Sequence, residues 1–177
     1  MTPKINPKPY WLNPDSGTSL VEIILYVGLT ATILLGISVL IATALESRVR
    51  SQVVNEVESQ GLIAAQIISQ SIRNAIAINS PIVGSSSSTL SLRMNAAPIN
   101  PTIYTIATGT LQITEAANPP IALTNSKIQV TALNFSNLSH PGTPGVIHFQ
   151  FALTYLNPQN RAEYVYSKTF ISSVSIR

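Results

Sequence analysis

Hydrophobic and polar positions change their rhythm twice along this chain. Residues 23–45 form a run of 23 positions without a charge. As a helix rising about 1.5 Å per residue, such a run extends roughly 35 Å, longer than the hydrocarbon core of a bilayer. It reads as a segment able to cross a membrane. Beyond Leu45 the pattern turns amphipathic: Val49, Val53, Val57, Ala64, Ile68, Ile72 and Ile76 recur at steps of four, with one step of seven after Val57, while Arg48, Glu56, Glu58 and Arg73 fall mainly between them. No proline stands between Asp15 and Pro81, so a single helix is predicted from about Ser19 to about Asn79. A step nearer four than three and a half, without alternating flanking charges, favours packing on a sheet over a coiled coil. Gly28 and Gly36 are spaced to share a helix face and permit close helix packing or local unwinding, whereas Gly61 reads as a tolerated weak point in the soluble half.

Past residue 80 the chain becomes rich in Thr, Val, Ile, Tyr and Phe, punctuated by Gly, Pro and Asn, which predicts β-structure. Ser80-Pro81 is expected to end the helix, and residues 84–88 to form an exposed connection. Strands are predicted at 89–94, 102–107, 110–115, 127–135, 146–156 and 163–176. Thr108-Gly109 reads as a tight hairpin turn and residues 157–160 as a longer one. In the penultimate strand Ile147, Phe149, Phe151, Leu153 and Tyr155 alternate with His148, Gln150 and Thr154, so one of its faces is covered. The fold class that follows is α+β, with the amphipathic half of the long helix lying on the apolar face of a C-terminal antiparallel sheet.

Composition sharpens this picture. With 45% hydrophobic and 10% charged residues, the chain is too apolar for a disordered tail and asks for a membrane segment. A removed secretory signal would have a shorter apolar core ending at a small-residue cleavage site, whereas this run passes into helix-compatible sequence. Residues 1–17 hold Pro3, Pro7, Pro9 and Pro14 and cannot extend the helix. Lys4 and Lys8 on one flank are matched by Arg48 and Arg50 on the other, so charge does not orient the segment. The remaining charges form no basic run, which argues against a strong intrinsic nucleic-acid site. Glu22 stands at the edge of the apolar run without a basic residue within a turn on its own chain. An ionisable group beside a hydrocarbon segment is costly, which makes it a functional candidate.

Gly17-Thr18-Ser19-Leu20-Val21-Glu22 followed by the apolar run resembles the prepilin processing site of type IV pilins and pseudopilins. The resemblance covers the first third of the chain, and Thr18 stands where the family most often has Phe. It implies a leader at 1–17 removed by a prepilin peptidase after Gly17, with Thr18 as the new and commonly N-methylated terminus. It further implies a transmembrane and filament-core half-helix at 18–45, an amphipathic half at 46–80 and a β-rich globular head at 81–177. Glu22 would pair with the Thr18 amine of a neighbouring subunit. The implied partners are other pilin subunits, the peptidase, the inner-membrane assembly machinery and, before assembly, the lipid bilayer. The implied locations are the cytoplasmic membrane, as a single-pass protein with its head outside, and then an extracellular filament. A type II secretion pseudopilin or a competence pilin would share these features; an ordinary signal-anchored surface protein would keep residues 1–17.

Catalytic chemistry has little to work with. Beyond residue 17 the chain has no Asp and no Cys, and its histidines are His140 and His148. A triad, a carboxylate pair or a three-ligand zinc site is hard to assemble from that set, so neither an enzyme nor a bound metal or cofactor is expected. Without cysteine, the last strand must be held by sheet hydrogen bonds and core contacts. Asn134-Phe135-Ser136 and Asn137-Leu138-Ser139 match the N-glycosylation acceptor pattern and read as exposed turns. Tyr155, Tyr164 and Tyr166 are read as packing residues before an adhesive patch.

Overall fold

The computed structural model describes residues 19–177. The leader and the processing positions Gly17 and Thr18 lie outside the described residues. The chain divides into two compact units, Met1–Leu45 and Glu46–Arg177. Helix α1 spans Leu20–Asn74. Nine strands follow it among the described residues: β1 (Ala75–Ser80), β2 (Ser86–Ser87), β3 (Leu90–Met94), β4 (Thr102–Ala107), β5 (Thr110–Glu115), β6 (Ile121–Ala122), β7 (Ile128–Asn137), β8 (Val146–Tyr155) and β9 (Ser167–Ser175). The fold is α+β.

In the first unit, residues 20–45 of α1 are exposed at every position. In the second unit, Val53, Val57, Gly61, Ala64, Ile68 and Ile72 of α1 are buried. Their spacing is the predicted amphipathic stripe, and it packs on sheet structure. Val49 is half-buried. Ile76 is not part of the stripe, because α1 ends at Asn74 rather than near Asn79. Residues 75–80 instead form β1, which pairs antiparallel with β3 through Ala75↔Met94, Ala77↔Arg93, Ile78↔Leu92 and Ser80↔Ser91. Ile76 and Ile78 are β-branched and stiff, which suits a strand. A partner strand that satisfies their backbone groups outweighs the weak local preference for continuing the helix. Ser80-Pro81 therefore ends a strand, not the helix.

The expected single sheet is two antiparallel sheets. One runs in the order β1-β3-β4-β5-β6 and the other β2-β7-β8-β9. The β4 and β5 strands fall where the sequence places them and pair through six consecutive positions from Thr102↔Glu115 to Ala107↔Thr110. Their turn has φ of 50° at Thr108 and 75° at Gly109, the left-handed pair that a type I′ hairpin turn requires to match strand twist. Residues expected to be an open connection contribute β2, a two-residue pairing with β7. β9 starts at Ser167 because residues 162–164 form a short 3₁₀ turn.

The inner faces explain the core. In β7 the buried residues are Ile128 and Val130, then Leu133, Phe135 and Asn137. A register shift between Val130 and Ala132 changes the parity there. The bulge absorbs one extra residue and keeps both apolar sets on one side of the sheet. In β8 Ile147, Phe149, Phe151 and Leu153 are fully buried, as the alternation predicts. Phe135 faces Phe149 across the ladder, and Phe151 faces Phe170 of β9. Their rings form a row, with centroids 6.2 Å apart for Phe135–Phe149, 6.3 Å for Phe149–Phe151 and 5.3 Å for Phe151–Phe170. This aromatic row joins the core that includes Val57, Ala64, Ile68 and Ile72 of α1.

Gly61 is a contact point rather than a weak point. A Cβ built on it would collide with Cζ, Cε1 and Cε2 of the Phe170 ring. The absence of a side chain lets the aromatic row approach the helix backbone, a close-approach role that glycine alone fills.

Candidate functional site

The first turn of α1 carries Glu22. An acidic group there is favoured by the positive end of the helix dipole. Its backbone N–H donates to the Ser19 carbonyl at 2.9 Å, which begins the helix just before the apolar run. The Tyr26 hydroxyl, one turn further on, donates to Glu22 Oε1 at 3.1 Å. The partner is thus a neutral phenol on the same chain rather than a cation, and its spacing of four from Glu22 is the signal in the sequence that points to it.

The rest of the apolar segment accounts for its own polar groups. Thr30 donates to the Tyr26 carbonyl at 2.7 Å, Thr32 to Gly28 at 2.9 Å, Ser38 to Leu34 at 2.8 Å and Thr43 to Leu40 at 3.0 Å. Together with Tyr26 these are all the side-chain hydroxyls between residues 23 and 45, and each is used inside the helix. That arrangement suits hydrocarbon, where a polar group must find its partner within the protein. An 18-residue window of the helix reaches a mean hydropathy of 2.4 and none of it is buried. By length and composition α1 can span a membrane. Cβ atoms added at Gly28 and Gly36 would meet open space.

Three side-chain links tie α1 to the β-rich part of the second unit. The Tyr104 hydroxyl of β4 donates to Ser71 Oγ at 2.6 Å; burial of the phenol pushes its pKa up to about 12. Glu58 accepts from Lys168 Nζ at 2.6 Å and from the Tyr166 hydroxyl at 3.2 Å. The hydrogen bond from Lys168, followed by its charge and by Tyr166, holds the Glu58 carboxyl below its ordinary value, and Glu58 in turn raises the Lys168 ammonium. The third link, from Asn125 Nδ2 to Glu56 Oε1, joins the loop before β7 to the helix. β9 is thus held by nine paired positions with β8, by the Glu58 link and by Phe170 against Gly61, without any cysteine in the chain.

His148 shares a hydrogen bond between Nδ1 and Ser173 Oγ at 2.9 Å on the outer face of its sheet. His140 is exposed in the β7–β8 connection. Tyr155 and Tyr164 stack at 5.8 Å, with the Arg161 guanidinium 5.5 Å from the Tyr164 centroid, and Tyr166 is taken up by Glu58. Neither acceptor asparagine lies in a turn, since both belong to β7. Asn134 is half-buried. Asn137 is buried, donating from Nδ2 to the Pro81 carbonyl at 2.8 Å and accepting at Oδ1 from the Ser139 N–H at 3.1 Å. No family model, curated protein or solved structure matches the chain.

Proposed function

We propose that this protein is a structural subunit of a type IV pilus-like filament, made as a prepilin. The observation that carries the reading is the exposed half of α1, residues 20–45, whose hydroxyls are satisfied within the helix and whose carboxylate stands in its first turn. A long apolar surface of this kind needs a covering. In this reading the bilayer covers it first, and the same half-helices of neighbouring subunits cover it afterwards. Prepilin peptidase cuts after Gly17, and Thr18 becomes the N-methylated terminus. The new amine supplies a cation of the kind that the uncleaved sequence does not place within a helical turn of Glu22. Pairing Glu22 with the Thr18 amine of the neighbour neutralises two charges as the subunit leaves the membrane, and it selects a register more than it adds net stability. The amphipathic residues of α1 hold the helix to the β-rich unit, which remains outside the membrane.

Mass spectrometry of the chain purified from membranes tests the first step. The expected terminus is Thr18, carrying a methyl group; a chain that begins at Met1 removes the filament reading. Glu22→Gln and Glu22→Ala test the second step. Both variants are expected to be processed normally and to be absent from sheared filaments, and normal incorporation of either would sink the proposed pairing.

A further inference from the structure

We propose that Tyr26 is a positioning residue for Glu22, holding one carboxylate oxygen on its own chain so that the other faces an incoming cation. The proposal rests on the filament reading and concerns how its docking carboxylate is prepared. Glu22, Tyr26 and Thr30 follow one another at steps of four, and so share a helix face. The Tyr26 hydroxyl donates to Glu22 Oε1 at 3.1 Å, and the Thr30 hydroxyl donates to the Tyr26 carbonyl at 2.7 Å. Helical side chains lean toward the N-terminus, so the Tyr26 ring covers the turn that bears Glu22.

A carboxylate accepts through two oxygens and has room for several donors. The phenol uses Oε1 and leaves Oε2 for a second group. Its hydroxyl adds no charge, so it lessens the cost of holding a carboxylate at the edge of hydrocarbon without neutralising it. The attraction available to a neighbour's amine is therefore kept. Because donor and acceptor lie on one chain, the contact exists before any neighbour arrives, and ordering the carboxylate in advance reduces the rotamer entropy lost on docking. Tyr26 is 55% exposed, so its ring is not committed to a packed core and the hydroxyl contact is the interaction that distinguishes it from phenylalanine.

The test compares the full-length chain with Tyr26→Phe and Glu22→Gln in cells that assemble filaments, with the sheared-filament yield normalised to the amount of each variant in membranes. Tyr26→Phe should lower that yield by about two- to tenfold, the cost of ordering one side chain on docking that the phenol otherwise meets in advance. In parallel, the wild-type and Tyr26→Phe chains carrying ¹³C-carboxyl glutamate are reconstituted in phosphatidylcholine vesicles. The isotope-edited infrared band of Glu22, identified by its loss in Glu22→Gln, should shift when the phenol is removed. A packing role for Tyr26 would leave that band in place. An undiminished filament yield from Tyr26→Phe, or an unshifted carboxylate band, overturns the proposal. Normal assembly of Glu22→Gln instead overturns the filament pairing itself, and the infrared comparison distinguishes the two failures.

Discussion

Replacing Gly61 with alanine sets two known effects against each other. In an exposed helix interior the change stabilises by about 1 kcal/mol, because glycine is the poorer helix former. Here the added Cβ collides with the outer end of the Phe170 ring, at Cζ, Cε1 and Cε2. Phe170 is 8% exposed and its ring lies 5.3 Å from that of Phe151, its partner across the β8–β9 ladder. Burial limits how far the ring can swing, so the helix or β9 must move as well. Overpacking of this kind costs about 1–3 kcal/mol. The Cβ would overlap three atoms at the outer end of that ring, Cζ, Cε1 and Cε2, an overlap deep enough to belong in the upper half of that range. The net expectation is a loss of about 1–2 kcal/mol, or a Tm lowered by about 3–10 °C for a unit of this size. Thermal unfolding of the full-length chain in detergent micelles, followed by near-ultraviolet circular dichroism, reads the effect. Phe170→Leu should relieve the clash, so Gly61→Ala should cost less in that background by at least about 0.5 kcal/mol. A Tm that rises in Gly61→Ala, or two substitutions that simply add, would refute the close-approach role of this glycine.

Further outcomes follow from the other links in the second unit. The Glu58–Lys168 pair should make stability depend on pH at both extremes. Because the folded Glu58 carboxyl lies below its ordinary value of 4.5, its contribution is present above that pH and fades as pH falls through the lower folded value; the raised Lys168 contributes fully below its ordinary 10.5 and is lost as pH rises through the higher folded value. The pair is solvent-accessible, so the effect should be small and weakened by salt, and Glu58→Gln should flatten both limbs of a pH-resolved denaturation series. Asn137→Ala leaves the Pro81 carbonyl and the Ser139 N–H without their partner and should cost about 1–3 kcal/mol in the same denaturation assay. An unchanged midpoint would show that water replaces the amide at no cost.

The filament reading draws on the two halves of α1 in different ways. The exposed residues 20–45 supply a surface that needs lipid or protein around it, while the buried stripe from Val53 to Ile72 supplies attachment to the sheets. Glu22 was legible as a candidate because a single carboxylate beside 23 uncharged positions is visible in one dimension. Its contact with Tyr26 also lies within one helical turn and was within reach of the same reasoning. A neutral phenol carries no charge to mark it as a partner in the sequence, which is why the pairing stands out only in the structure.

Features governed by neighbours in sequence were determined by the chain alone. The apolar run, the amphipathic stripe, the β4–β5 hairpin with its Thr108-Gly109 turn and the buried face of β8 all follow from side-chain periodicity and turn stereochemistry. Tertiary structure decided what depends on a distant partner. Residues 75–80 became a strand because β3 supplies their ladder. The strands separated into two sheets because pairings beyond each hairpin are non-local, and Asn137 turned inward because the Pro81 carbonyl lies beside it. Gly61 acquired its role only when Phe170, more than a hundred residues away, came to lie against the helix. A sequence records each residue's own preference, whereas close packing and hydrogen-bond satisfaction are properties of pairs, and folding is what selects the pairs.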